Sequence, residues 1–421
     1  MNRIFRAIPL AGAASLLCAT GTARALDLNA GDWKFSVDGN VNVHYIYSDC
    51  ESAASAKLIT TVGGACTGSA SSSSVSNVGN GLLPAAITFG VATTQAGYDI
   101  AGHFGFYPGI DTNDGGSPNV QQGAPAGSNV ALGTTGLDVR QVYMTFGNKD
   151  IGSFLLGRNF GLFGFDAIIN DMTIPGVGVG GSMSGAAPAN TSLGSIGFGY
   201  IYTDTLAQMD YTTPDFAGFA ATLGIYDPLN SLTAPGSSEP KTTPGFHGKL
   251  TYTLPLGGAD KLYLSSAFID QKQKYLIGAT DYSYNAFGID AFAKLDIAAF
   301  EGIAYYYHGS GLGTTGLFVL SDDGLGGKRG SSGYLAQASY ALGKLKLGVN
   351  YGVSRLGYAN AADQAAVPTL LASNSKVTAG LYYSLTKNLT LLSELSDVRT
   401  KAHDGDSNRS LNFNVGAYLS F

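Results

Sequence analysis

The chain is poor in charge, tryptophan and cysteine: Lys, Arg, Asp and Glu make up 13% of its 421 residues, with one Trp and three Cys. Its formal net charge is −6, an acidic balance that argues against a nucleic-acid partner. Beyond the first 25 residues no apolar run approaches ~18 residues, which excludes transmembrane helices. No composition break or linker divides the chain, and no fixed internal period suggests a repetitive β-solenoid. The sequence also has no G-x-S-x-G elbow, no H-E-x-x-H and no Walker loop, and its GVGVGG run follows no βαβ pattern. Its five histidines show no ligand spacing, so neither a metal nor a cofactor is expected.

What is abundant is glycine (59), tyrosine (24) and phenylalanine (21). Aromatics with few charges suit strands that face an apolar medium on one side. Residues 1–25 have the make-up of an export signal: Arg3 and Arg6 at the start, an apolar core from Ile8 to Leu17, and the small-x-small site Ala23-Arg24-Ala25. Leu17 is too large for the residue that precedes a lipidated cysteine, so Cys18 is not expected to carry an anchor. Losing Arg3, Arg6 and Arg24 would move the net charge from −6 to −9. The remaining cysteines, Cys50 and Cys66, lie in a Ser/Gly/Ala-rich segment and could pair in an oxidising compartment.

Trp33 to Tyr47 alternates, with Phe35, Val37, Val41, Val43 and Tyr45 on one face and Lys34, Ser36, Asp38, Asn40, Asn42 and His44 on the other. The same period of two runs through 344–354 and through the last segment, Leu411 to Phe421. Further strands are expected at 84–94, 98–107, 138–147, 151–158, 205–213, 217–226, 245–254, 261–271, 284–295, 299–308, 333–342, 376–386 and 388–397, for a total of sixteen. Short and long connections alternate, as in an up-and-down transmembrane β-barrel, and an even count puts both ends of the chain on the periplasmic side. A soluble β-sandwich alternates too. However, several of these strands reach the ~9–11 residues that cross a bilayer, and Asn, Ser and Lys on the inner faces need a wet lumen rather than a closed core.

One stretch is specific. Val139 to Gly161, with its DIGSFLLGRNFG run, resembles the fourth and fifth strands of the Gram-negative general diffusion porins, and Asn170-Asp171-Met172 is similar to the tip of that family's inward-folded third loop. GNVNVHYIYS, DYTTPDFAGFAATLGIY and the terminal Phe421 are weaker echoes, the last resembling the family's signal for outer-membrane assembly. The resemblance implies an all-β, sixteen-stranded barrel over 26–421, a homotrimer in outer-membrane lipid inserted by the assembly machinery, and passage for ions and small hydrophilic solutes.

It also implies a constriction in the loop around 159–195, with Asp171 as the leading loop acid and Arg140 as a wall arginine opposed to it. Arg158 and Asp166 are candidates for the same constriction. Gly176 and Ala86 stand near positions where the family often has a second acid and another wall arginine, so the expected field across the eyelet is weaker, with a mild cation preference. Arg140 shares its strand face with Val142, Met144 and Phe146, so reaching the lumen requires a local irregularity. The glycines from Gly176 to Gly185 permit the turns of a lining loop. Two other readings are a porin selective for one class of small solute and, from a different class, a barrel enzyme of the outer membrane.

Overall fold

The structure is a computed structural model that describes residues 26–66, 72–110, 137–180, 190–231, 237–238 and 242–421. The expected export signal at 1–25 lies outside the described residues. Sixteen strands form the wall. They are β1 (Trp33–Cys50), β2 (Ala86–Gln95), β3 (Tyr98–Pro108), β4 (Leu137–Asn148), β5 (Gly152–Phe160), β6 (Thr205–Thr212), β7 (Phe219–Tyr226) and β8 (Gly245–Gly257). The second half comprises β9 (Asp260–Ile277), β10 (Thr280–Ile297), β11 (Phe300–Ser310), β12 (Gly330–Leu342), β13 (Leu345–Leu356), β14 (Leu371–Ser384), β15 (Leu389–Ala402) and β16 (Ser407–Ser420).

Each strand pairs antiparallel with the next, and β16 pairs with β1 from Ser410↔Cys50 to Ser420↔Asn40, which closes the ring and leaves no free edge. At this seam Phe421 and Gly39 exchange backbone hydrogen bonds of 3.0 Å in both directions. A Cβ at residue 39 would meet the Phe421 ring at 2.6 Å, so glycine is what lets the ring lie there.

Alternation decides which face is wet. On β1 the outward side chains Val41, Val43, Tyr45 and Tyr47 are exposed, whereas Asn40, Asn42, His44 and Ser48 point inward and are buried. Exposed aromatics gather in two belts on the outer surface. Trp33, Tyr98, Phe219, Phe300 and Tyr383 lie toward the short turns, and Tyr47, Phe104, Phe246, Tyr306 and Phe413 toward the long loops. An apolar band between aromatic belts is the outer surface of a barrel set in a bilayer.

Each of the sixteen wall strands overlaps an expected one; the described residues add three short strands, Leu26–Ala30, Ser74–Gly79 and Ser237–Ser238, and several wall strands run past their expected ends, furthest at one hairpin. The sequence pattern ends β9 near 271 and begins β10 near 284, but the hairpin continues to Ile277↔Thr280. At ~3.3 Å per residue an 18-residue strand is about 59 Å long, well past the membrane. Gln271, Lys272, Gln273 and Lys274 are polar on both faces, so no alternation marks this part. Its inward side chains instead hold a neighbouring loop: Gln271 accepts from the Leu229 N–H at 3.0 Å, and both Gln271 and Gln273 donate to the Leu229 carbonyl.

The outer loops are cross-braced. Cys50, at the end of β1, is bonded to Cys66 with a Cα separation of 6.0 Å. Arg329 donates to both carboxylate oxygens of Asp363 in helix α2 (Ala361–Ala366), at 2.9 and 2.6 Å. Burial pushes the Asp363 carboxyl up, but the Arg329 bonds and the Ala359 N–H outweigh it, so the group sits below the usual carboxylate range.

Candidate functional site

The long connection between β5 and β6 turns into the barrel instead of outward. Its two limbs are tied where they leave the wall: the Gly161 N–H donates to the Asp204 carbonyl at 3.1 Å, and Thr203 Oγ1 donates to the Gly161 carbonyl at 2.6 Å. Gly164, at φ 76°, makes the left-handed turn into the one-turn helix α1 (Phe165–Ile169), and its N–H donates to Asp290 of β10 at 2.8 Å. Asp166, in this helix, accepts from Lys249 Nζ of β8 at 3.0 and 3.1 Å, and from Tyr263 and Ser265 of β9. The Lys249 ammonium also lies over the Phe165 ring at 4.9 Å.

The tip docks on the far wall. Gln337 of β12 accepts from the Met172 N–H at 2.8 Å and donates to the Asn170 carbonyl at 2.9 Å. Asp171 is 3% exposed and organises the tip. Its Oδ1 accepts from the Thr173 N–H and hydroxyl and from Asn350 of β13, and its Oδ2 from the Ser195 N–H and the Tyr200 hydroxyl. On the return limb, Glu394 of β15 accepts from the Val177 and Gly178 N–H groups at 2.8 Å each, and from the Tyr382 hydroxyl at 2.7 Å. Lys376 of β14 donates to the Gly194 carbonyl at 2.8 Å and to Ser195 Oγ at 2.7 Å. A buried carboxylate or ammonium is tolerated when its bonding capacity is met in this way.

Arg140 reaches the interior through a β-bulge. In the β3–β4 pairing Gln141 faces Gly105 and Val139 faces the next residue, Phe106, so Arg140 is the extra residue. Arg140 and Gln141 are both buried, while Val139 and Val142 on either side are exposed. The Arg140 guanidinium donates to Asp138 at 3.0 and 3.2 Å and to Asn190 of the inward loop at 3.2 Å, and it stacks over Tyr107. Arg140 and Asp171 are thus held in separate networks, the first at the near wall and the second at the tip. Arg158, half-buried, pairs in register with Val142, on the face that carries Leu156 and Phe154, and its charge acts on Asp204 and Tyr202 at the end of the loop.

Two residues here are absent from the sequence-based candidates. Glu394 occupies the space beside Gly176, where a Cβ would lie 2.1 Å from Glu394 Oε1. The wall thus sets a carboxylate directly against Gly176. Lys376 is the second. The signal for each is a single charge at an inward position of an alternating strand: Glu394 is the lone charge in LTLLSELS, and Lys376 precedes the apolar run of β14.

A separate charged group lies below the tip, toward the short turns. Lys294 of β10 donates to Asn170 at 3.1 Å and pairs with Glu301 of β11 at 2.8 Å, and Lys346 of β13 pairs with the same Glu301 at 3.3 Å. Their side chains keep 21%, 23% and 33% of their surface, for Lys294, Glu301 and Lys346 in turn. They face water that Lys376, at 1%, does not.

A closed barrel with an apolar exterior, a polar interior and a loop folded across its lumen is a membrane channel. The profile of the Gram-negative porins matches residues 12–403, and the chain belongs to that family. It is an outer-membrane channel for passive diffusion of small hydrophilic solutes. No curated protein matches the sequence significantly. Among solved structures it is similar to the outer-membrane channel DcaP of Acinetobacter baumannii, with a TM-score of 0.64, 13% identity and coverage of 93% of this chain and 99% of that one. It is also similar to an anion-selective porin from Comamonas acidovorans (TM-score 0.59, 15% identity, 92% and 100% covered). A third is Salmonella typhi OmpF in complex with daunomycin (0.54, 14%, 94% and 100%). At these identities the likeness is one of fold.

Proposed function

We propose that the loop around 159–195 forms the narrowest part of the channel, and that Arg140, Arg158, Asp166 and Asp171 act on it mainly by holding the loop in place. The observation that carries this reading is the set of bonds from loop backbone to inward side chains of β10, β12, β14 and β15, on strands remote in the chain. A loop fastened to opposite walls fixes an opening, whereas one fastened at its base alone would sway. The functional unit is a homotrimer of passive channels with no catalytic step, exported by residues 1–25 and assembled through a signal that includes Phe421. Single-channel conductance in a planar bilayer tests the reading: replacing 165–199 by a short Gly-Ser linker should raise conductance about twofold or more, since a pore's conductance follows its narrowest section. An unchanged conductance would place the constriction elsewhere.

A further inference from the structure

On the inner face of β9 to β13, between the loop tip and the short turns, three lysines and two acids stand together. Lys294 and Lys346 share Glu301, and Asp296 lies 3.7 Å from Lys261 and 3.9 Å from Lys294. Two carboxylates therefore serve three ammoniums. Lys346 pairs with Glu301 Oε1 at 3.3 Å while Lys294 takes Oε2; among the described residues Glu301 is the acid partner of Lys346, which is a third exposed. Lys294 is fastened at the same time to Asn170 of the tip, so a solute that leaves the constriction meets this group next. Across the barrel the inward positions Gly90, Ala92, Ala101, Thr145, Ser153 and Thr222 are uncharged; the inward acids near them are Asp99 of β3 and Asp210 of β6, the latter bonded to His247 at 2.8 Å.

We propose that Lys346 and Lys294, around Glu301, form an anion subsite on the periplasmic side of the constriction, which favours small carboxylate-bearing solutes over cations of equal size. A solute carboxylate takes the place of Glu301 as the partner of the Lys346 ammonium, and Glu301 stays with Lys294 at its shorter distance. The exchange replaces one ion pair by another, so it holds an anion briefly without trapping it, as conduction requires. Both the ammonium and its partner are wet, which keeps the interaction weak and sensitive to salt. The inference rests on the reading of the loop tip as the constriction, and its sign runs against the cation preference expected from overall acidity.

The test is the reversal potential of the purified channel under a potassium chloride gradient, with malonate added as a blocker of the chloride current. The unmutated channel should prefer chloride. Lys346→Gln should lower the chloride-to-potassium permeability ratio by roughly threefold and weaken the malonate block, and Glu301→Gln should raise the ratio by a similar factor, as one charge changed near the path implies. Reversal potentials equal in all three proteins, or malonate block unaffected by Lys346→Gln, would overturn the subsite. The single-channel conductance in the same recordings keeps the two readings apart. If it responds to loop replacement while ion preference ignores Lys346 and Glu301, the constriction stands and the subsite fails. If loop replacement leaves conductance unchanged, the constriction reading fails as well.

Discussion

Two lysines on the inner wall meet the same loop in opposite ways. Lys376 is sealed beneath it, giving its protons to the Gly194 carbonyl and Ser195 Oγ, with Glu394 and Asp171 as the nearby acids. Lys346 stands in the open below the tip and shares an acid with Lys294. Both are single cations at inward positions of alternating strands, and only burial separates them. A dry charge cannot lose its partners without leaving another group uncompensated, so it fixes structure. A wet charge can exchange partners with whatever passes, so it acts on solutes.

The dry side of this comparison is broken most severely at Lys376 itself. Lys376→Met removes the donor to Gly194 and Ser195 and leaves Glu394 without its nearest cation, a loss of about 3–5 kcal/mol for one partner of a buried charged set. The barrel should still close, because the ladders from β13 to β15 do not depend on this side chain. The expected result is a channel whose folded, heat-modifiable form converts at a temperature several degrees lower and whose conductance fluctuates as the return limb of the loop comes free. A quiet current with unaltered thermal behaviour would show that Lys376 does not fasten the loop.

Asp171→Asn is the next largest. The change keeps one oxygen but turns the other acceptor into a donor, facing the Ser195 N–H and the Tyr200 hydroxyl, or Thr173 and Asn350, according to how the amide sits. A loss of about 2 kcal/mol is expected, for one buried group left without a partner. Because Asp171 is nearly sealed, the reversal potential should move less than it does with Lys346→Gln, although the family resemblance makes Asp171 the leading loop acid. If Asp171→Asn instead changes ion preference strongly at constant stability, the division between dry and wet charges is wrong at this position.

The sequence reveals the wall because a barrel strand states its own orientation: Leu411 to Phe421 alternates without interruption, and β1 does so over most of its length. It reveals the loop by its apolar content, Phe163 and Ile168 being too greasy for an exposed turn and both buried in the structure. What alternation cannot show is which inward charge is covered. Lys376 and Lys346 have equivalent signals in their strands, and the difference arises only when a segment nearly two hundred residues earlier in the chain lies over one of them. The bulge that brings Arg140 inward is hidden for a related reason. It is defined by the register against Gly105 and Phe106, and neither strand carries it alone.

The smallest effect on stability is expected at the wet lysine, and that small size is the sharpest test of the comparison. Lys346 pairs with Glu301 at 3.3 Å with a third of its side chain exposed, so an exchange for glutamine should change stability by no more than ~0.5 kcal/mol, within the range of exposed pairs. The unfolding temperature of Lys346→Gln should therefore match that of the unmutated protein, while its ion preference moves as described above. Lys376→Met should show the reverse: a large loss of stability with any shift in preference explained by the loosened loop. The two variants together separate holding from selecting. If both lower stability and shift preference in the same proportion, then the lumen wall is one coupled network and its charges cannot be sorted by exposure.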